Sequence, residues 1–254
     1  MTPPILSTSD LTVRFGGHVA VDAVTCAFNA GELTAIVGPN GAGKTTYFNL
    51  ISGQIPATSG SVFLRGQEIT GRSVAQRTRA GIGRAFQLTS LFPNLSVLEN
   101  VRLVAQSKAD QGFNLWSMAS KHTELTQAAE QILSRVRLLD QAAQVVSELS
   151  HGDQRKLEVA LLIALGPAVY MFDEPTAGMS VDEAPVVLDL IADLKAHSDR
   201  TILLVEHKMD VIAKLADRII VLHNGALAAD GDPATVMASD VVQEAYMGRE
   251  LEDV

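Results

Sequence analysis

The stretch that decides the reading is GPNGAGKTT, Gly38 to Thr46. It fits the pattern G-x-x-x-x-G-K-[ST]. It lies between a short apolar run, LTAIVG, and a helix-like run, KTTYFNLIS, closed by Gly53. Each part of that context has a physical reason. Gly38, Gly41 and Gly43 let a backbone wrap closely around phosphate groups, with Pro39, Asn40 and Ala42 completing the loop. The N-terminus of the next helix adds N–H groups that have no partner within the helix. Lys44 brings a positive charge to β- and γ-phosphates. Thr45 offers a hydroxyl to Mg²⁺, with Thr46 beside it in the first turn. The pattern calls for a nucleoside triphosphate and its magnesium ion.

Hydrolysis of such a ligand needs one carboxylate near the metal and another near the attacking water. VYMFDEP supplies both: four apolar residues lead to Asp173 and Glu174 at the end of a predicted strand, where ligands of parallel sheets collect. Asp173 suits Mg²⁺, directly or through water, and Glu174 suits the water. Two other predicted strands end in polar residues, GIGRAFQ in Gln87 and TILLVEH in His207. Taken alone, these are an ordinary loop glutamine and a hydrogen-bonded histidine.

LSHGDQRKLE, Leu149 to Glu158, opens a long amphipathic run. Ser150 can cap that helix by accepting a backbone N–H, and Gly152 eases the entry. Alternatively, the open N–H groups face an anion. The ten residues leave both readings open.

Working outward, LTVRF and VAVDAVTCAF read as strands joined by Gly16-Gly17. SGSVFLRGQEI reads as a hairpin strand. From about Leu88 to Val146 the character changes: SVLENVRLVAQS and TELTQAAEQILSRVRLLD are helical by periodicity, with a loop or broken helix between them. Strand and helix then alternate: AVYMFDE, VDEAPVVLDLIADLKAH, TILLVEH, MDVIAKLAD, RIIVLHNG and DVVQEAYMG. Val187, Leu190, Ile191 and Leu194 share one helical face. Short apolar strands alternating with helices predict a parallel sheet covered on both faces, with the helical block as an insertion.

Composition bounds the rest. The 254 residues are 47% hydrophobic and 19% charged, which fits a globular chain. A net charge of −9 argues against a broad electrostatic grip on nucleic acid or anionic lipid. The single cysteine, Cys26, cannot form an internal disulfide and reads as a small buried hydrophobe. The opening MTPPILSTSDL lacks the basic and apolar regions of a secretory signal, and VALLIALGPAVYMF is too short and too broken to span a bilayer.

The order phosphate loop, Gln87, LSHGDQ, FDEP and His207 resembles the ATP-binding subunits of ABC transporters over nearly the whole chain. The resemblance implies an α/β fold: a P-loop ATPase core with a mostly parallel sheet, an N-terminal antiparallel β subdomain and an inserted α-helical subdomain. It implies one nucleotide-binding domain over 1–254, with the helical subdomain at 88–155, and ATP and Mg²⁺ as cofactors. LSHGDQ is then the signature motif. Its Ser150, His151 and Gly152 would face the γ-phosphate held by the phosphate loop of a second ABC ATPase chain, either a copy or a sister subunit. Gln87 would sense Mg²⁺ and the γ-phosphate. His207 would contact that phosphate and position water beside Glu174. Phe15 would stack on adenine, and Ala177–Ser180 would form the loop between two sites. Departures from the family pattern are His151 for a glycine, Asp153 for a glutamine, Ser180 for an aspartate and Phe15 for a tyrosine.

A finer likeness lies in RFGGHVAVDAV, the aromatic-bearing insertion with Phe113, Leu115 and Trp116, EPTAGMS, VEHKMD and QEAYMGRE. Together these are similar to the branched-chain amino acid importer ATPases. The urea and amide importer ATPases and the lipopolysaccharide exporter ATPase share much of the pattern. The resemblance implies a multi-spanning membrane permease as partner, a solute-binding protein indirectly, no nucleic acid, and a peripheral cytoplasmic place on the inner face of a bacterial plasma membrane. The alternative of another class is a soluble ABC ATPase serving a non-membrane assembly.

Overall fold

The computed structural model describes residues 3–85, 91–108, 118–196 and 199–239. The chain folds as two compact units. One comprises residues 1–83, 168–174 and 194–254; the other comprises residues 84–167 and 175–193.

The first unit holds two sheets. In the smaller, β1 (Leu6–Phe15) and β2 (His18–Phe28) form an antiparallel hairpin about Gly16-Gly17, with Phe15 opposite His18. β4 (Ser59–Leu64) pairs antiparallel with the other edge of β1, and the two-residue β5 (Gln67–Glu68) follows it. The larger sheet is built from β3 (Leu33–Val37), β6 (Ile82–Arg84), β7 (Val169–Asp173), β8 (Thr201–Val205), β9 (Arg218–His223) and β10 (Ala226–Gly231). Its spatial order is β10-β9-β3-β8-β7-β6. β3 runs parallel to β8 and β9, and β7 runs parallel to β8. Every residue of β3 and β8 is buried, which explains why both read as mostly apolar runs rather than alternating ones, with one threonine in each. β10 returns antiparallel beside β9 and is half exposed, so its ALAADG carries little strand signal.

α1 (Lys44–Ser52) leaves β3 through the glycine loop and ends at Gly53, as its sequence predicts. Nine residues do not make a stable helix alone. Tyr47, Phe48, Leu50 and Ile51 are fully or almost fully buried and join one core with Phe28, Val169, Met171, Leu203 and Ile220. Each such side chain contributes about 1.5–3 kcal/mol on burial, more than propensity can withhold. Arg77, on α2 (Val74–Ala80), reaches across to donate to the carbonyls of Leu50 at 2.6 Å and Ile51 at 2.7 Å, so α1's C-terminal turn is not left unpaired. Cys26 is buried in this core, which pushes its thiol pKa up.

In the second unit, α3 (Val97–Lys108), α4 (Met118–Arg135) and α5 (His151–Leu165) pack on one another. They bury Val97, Val101, Ala129, Leu133, Leu157, Ala160 and Leu161. Asn100 is fully buried and both accepts from the amide of Phe92 and donates to its carbonyl, fixing the entry to α3. α6 (Ala184–Lys195) starts three residues inside the predicted VDEAPVVLDLIADLKAH run and buries the expected face of Val187, Leu190, Ile191 and Leu194. α7 (Met209–Leu215) and α8 (Pro233–Met237) complete the first unit. Among the described residues, no helix is long and apolar enough to cross a membrane. The predicted closing helix DVVQEAYMG and the side chains of Phe113, Leu115 and Trp116 lie outside the described residues.

Candidate functional site

Because β3, β8 and β7 are adjacent and parallel, their carboxyl ends lie side by side. Three of the predicted motifs start there. Gly38 to Gly43 form the turn after β3, and Lys44, Thr45 and Thr46 open α1. Asp173 ends β7, with Glu174 next to it. His207 stands two residues beyond β8.

The glycine loop is held from behind. The amide of Gly225, in the β9–β10 turn, donates to the carbonyl of Ala42 at 3.1 Å, and Gly225's own carbonyl accepts from Asp22. A Cβ on Gly38 would lie 2.1 Å from the carbonyl oxygen of Leu222, and one on Gly43 would lie 2.5 Å from that of Ala20. Both have positive φ, +148° and +97°. Only glycine fits the two positions. Asn40, Gly41 and Thr45 face outward. The helix begins with Gly43 as its cap and no side-chain cap. The amides of Lys44, Thr45 and Thr46 therefore lack intrahelical acceptors and can serve an anion.

Lys44 is 6% exposed and folds over this loop, its Nζ donating to the carbonyls of Gly38 at 2.6 Å and Pro39 at 2.9 Å. Burial lowers its pKa, and the negative charges of Glu174 and Asp173 partly restore it. The lysine and the two carboxylates thus share one electrostatic site.

Glu174 adopts a left-handed backbone conformation, φ +51°, and its amide donates to the carbonyl of Val205 at 2.9 Å. A non-glycine residue there costs about 1–2 kcal/mol, so the bond to β8 holds a strained turn. Its Oε1 lies 2.8 Å from Nε2 of His207. Both side chains remain substantially exposed, 43% and 37%, which leaves them accessible to water. The residues alone suggested separate strand-end groups, and the family resemblance placed His207 beside Glu174; in the structure the two side chains are in direct contact.

Sequence reasoning passed over Glu206. It is only 3% exposed, and its Oε2 accepts from the amide of His207 at 2.8 Å and, at 3.4 Å, from that of Lys208. The available signal was a carboxylate directly after the apolar run ILLV, Ile202 to Val205.

Phe15 ends β1 and is 54% exposed, so its ring is accessible from solvent. Gln87 lies outside the described residues.

Ser150, His151 and Gly152 begin α5 in the second unit. Ser150 is the cap: its Oγ accepts from the amide of Asp153 at 3.1 Å and donates to that carboxylate at 2.9 Å. Lys156 donates to Asp153 at 2.8 Å. Burial pushes the Asp153 pKa up, but the hydrogen bonds from Lys156 and Ser150 outweigh it, and the net shift is downward. A Cβ on Gly152 would lie 2.2 Å from a carboxylate oxygen of Glu183, which itself accepts from Ser180. His151 packs its ring against Gly178. LSHGDQ and AGMS therefore meet within this unit.

Comparison with known proteins adds an independent line. Residues 21–177 match the family model described as ABC transporter. The chain is 36% identical to the high-affinity branched-chain amino acid transport ATP-binding protein LivG of Escherichia coli, over 98% of this chain and 99% of that one. It is likewise 36% identical to the corresponding protein BraF of Pseudomonas aeruginosa, again over 98% and 99%. A crystal structure titled as the ADP conformation of an ATP-binding cassette of an ABC transporter superposes with a TM-score of 0.81 at 30% identity, covering 97% of this chain and 100% of that one.

Proposed function

This chain belongs to the ABC transporter family of ATP-binding proteins, and from that premise we propose that it is the motor subunit of an importer for branched-chain or other hydrophobic amino acids. It is an ATPase whose hydrolysis is coupled to transport, and it binds nucleotide as ATP-binding cassettes do. The observation that carries the catalytic reading is the Glu174–His207 contact, 2.8 Å, at the strand ends beside the Lys44 loop. The near full-length likeness to two branched-chain amino acid transport ATP-binding proteins supports the solute class.

The chemistry is in-line attack of water on the γ-phosphate, where catalysis is positioning and charge stabilisation rather than covalent work. The amides of the loop and of α1 hold the β- and γ-phosphates, and Lys44 exchanges its loop carbonyls for phosphate oxygens. Glu174 orients the attacking water and accepts its proton. His207 steadies the Glu174 carboxylate and reaches the γ-phosphate. Phe15 stacks on adenine through its exposed ring face.

Among the described residues no cluster of three or more His, Cys, Asp or Glu could hold a metal. A threonine hydroxyl and one carboxylate suit a magnesium ion that takes its remaining oxygens from phosphate and water. Thr45 and Asp173, with Gln87, would hold it, and it would neutralise charge between the β- and γ-phosphates.

Ser150, His151 and Gly152 serve the nucleotide of a second ABC ATPase chain, and the pair drives a multi-spanning permease that receives solute from a binding protein. The chain then works at the cytoplasmic face of the membrane. Capture with tagged Glu174→Gln chain, ATP and Mg²⁺ from detergent-solubilised membranes of its own cells tests this. Recovery of multi-spanning proteins, followed by ATP-dependent leucine, isoleucine or valine uptake by the reconstituted complex, is expected. Recovery of soluble partners alone would overturn the transporter reading.

A further inference from the structure

We infer that Glu206 is a positioning residue for hydrolysis: it fixes the turn that aims His207 at Glu174. The inference rests on the ATPase reading of that site and extends it by one residue.

Three observations carry it. The first is burial. Glu206 follows the five buried residues of β8 and is itself 3% exposed, a poor place for a carboxylate unless its oxygens are well used. The second is where one oxygen goes. Oε2 turns back onto its own chain to accept from the next two amides, of His207 at 2.8 Å and Lys208 at 3.4 Å. The third is the helix that follows. α7 begins with Lys208 as its cap and has no side-chain cap hydrogen bond. A capping residue ordinarily stands at the cap and satisfies amides further on. Here a carboxylate two residues upstream takes the cap's own amide and the one before it, so the His207–Lys208 turn is tied to the buried end of β8.

The consequence reaches the site by a short route. The His207 backbone is held at its amide, and its ring meets Glu174 Oε1 at 2.8 Å. Glu174 is in turn tied by its own amide to the carbonyl of Val205, the residue before Glu206. The two ends of the Glu174–His207 contact are therefore anchored to adjacent residues of one strand end. Removing the Glu206 carboxylate frees one anchor and leaves the other. The histidine then samples orientations away from Glu174, while the glycine loop and the first turn of α1 keep their own contacts.

The test is a double-mutant cycle between Glu206→Ala and His207→Ala, with steady-state ATP hydrolysis by the full chain and melting temperature read for each variant. Glu206→Ala is expected to lower kcat about tenfold to a hundredfold, with KM for ATP within about twofold, because a misaimed catalytic group costs turnover rather than ground-state binding. In the His207→Ala background the same change should cost less than about twofold, since there is no ring left to aim. Glu206→Gln keeps an oxygen at the same reach and should retain kcat within about threefold of the unaltered chain, and it carries the cycle if the alanine variant does not fold.

Wild-type kcat in Glu206→Ala would overturn the inference. So would a full loss of turnover that persists undiminished in the His207→Ala background, or a loss expressed in KM. Glu206→Gln falling as far as His207→Ala, with the loss independent of His207, would overturn it as well. Failure of the parent reading looks different: the unaltered chain would itself hydrolyse no ATP, or Lys44→Ala would hydrolyse it as fast.

Discussion

α1 and α5 both carry a glycine at or near their start, and both are proposed to meet phosphate, yet their N-termini are finished in opposite ways. α1 starts at Gly43 with no side-chain cap and no acidic residue in its first turn. α5 starts at Ser150, which caps it, with Asp153 in the first turn and the Glu183 carboxylate against Gly152. An uncapped terminus keeps its amides and its partial positive charge available to an anion from outside. A terminus with its own cap and carboxylates is complete without one. An uncapped helix start such as that of α1 can hold a nucleotide within a single chain. The other is proposed to act only when a second chain brings a phosphate to it.

The comparison can be broken most severely at the first terminus. Glu174→Gln should lower ATP turnover at least about a thousandfold while ATP still binds, because the water-activating carboxylate is lost and the phosphate loop is kept. Turnover assays beside equilibrium binding of labelled ATP check this. Gly43→Ala should weaken ATP binding at least about a hundredfold, since an added Cβ at φ +97° meets the Ala20 carbonyl at 2.5 Å and backbone must move.

At the second terminus the effects should be smaller and separable. Gly152→Ala forces the flexible Glu183 side chain aside rather than backbone. It should lower the melting temperature by about 2–4 °C, for a cost near 1 kcal/mol in a chain this size. Adding Glu183→Ala should restore the melting temperature. The accompanying loss of ATPase, about tenfold, should persist in the double variant, because the new methyl still stands where the second chain's phosphate is proposed to come. If both losses are relieved together, Gly152 serves only its own chain.

The smallest effect is the pH dependence of the α5 cap. Asp153 has a folded-state pKa held below its ordinary value. The stability it contributes is therefore present above the unfolded value of about 3.9 and lost as pH falls through the lower folded value. Asp153→Asn should melt below the unaltered chain at pH 7, with the gap closing as the pH falls below about 4. A gap that widens in acid would reverse the assigned sign.

Much of this was legible in the sequence for a clear reason. The glycine loop, Asp173, Glu174 and His207 each stand at or within two residues of the end of a buried strand, and a mostly apolar run that turns polar marks that neighbourhood. α1 matched its predicted bounds because Gly53 supplies the left-handed stop. What stayed hidden was short or half exposed. α2 has a reciprocal Ser73–Gln76 capping box but only seven residues, too few to show periodicity. β10 alternates weakly at an exposed edge. Glu206 was marked only as a carboxylate following an apolar run, and Glu183 not at all: their importance lies in what their carboxylates fold back upon, and composition around them records no such contact.

The uncapped terminus is proposed to bind ATP for the chain's own Glu174, and the capped terminus to meet ATP held by a second chain. Sedimentation of the Glu174→Gln chain with and without ATP and Mg²⁺ tests this most directly. A monomer is expected without nucleotide and, with ATP and Mg²⁺, a dimer holding two ATP molecules that Gly152→Ala weakens. A chain that stays monomeric while saturated with ATP, or one that hydrolyses it at the unaltered rate, would contradict the account.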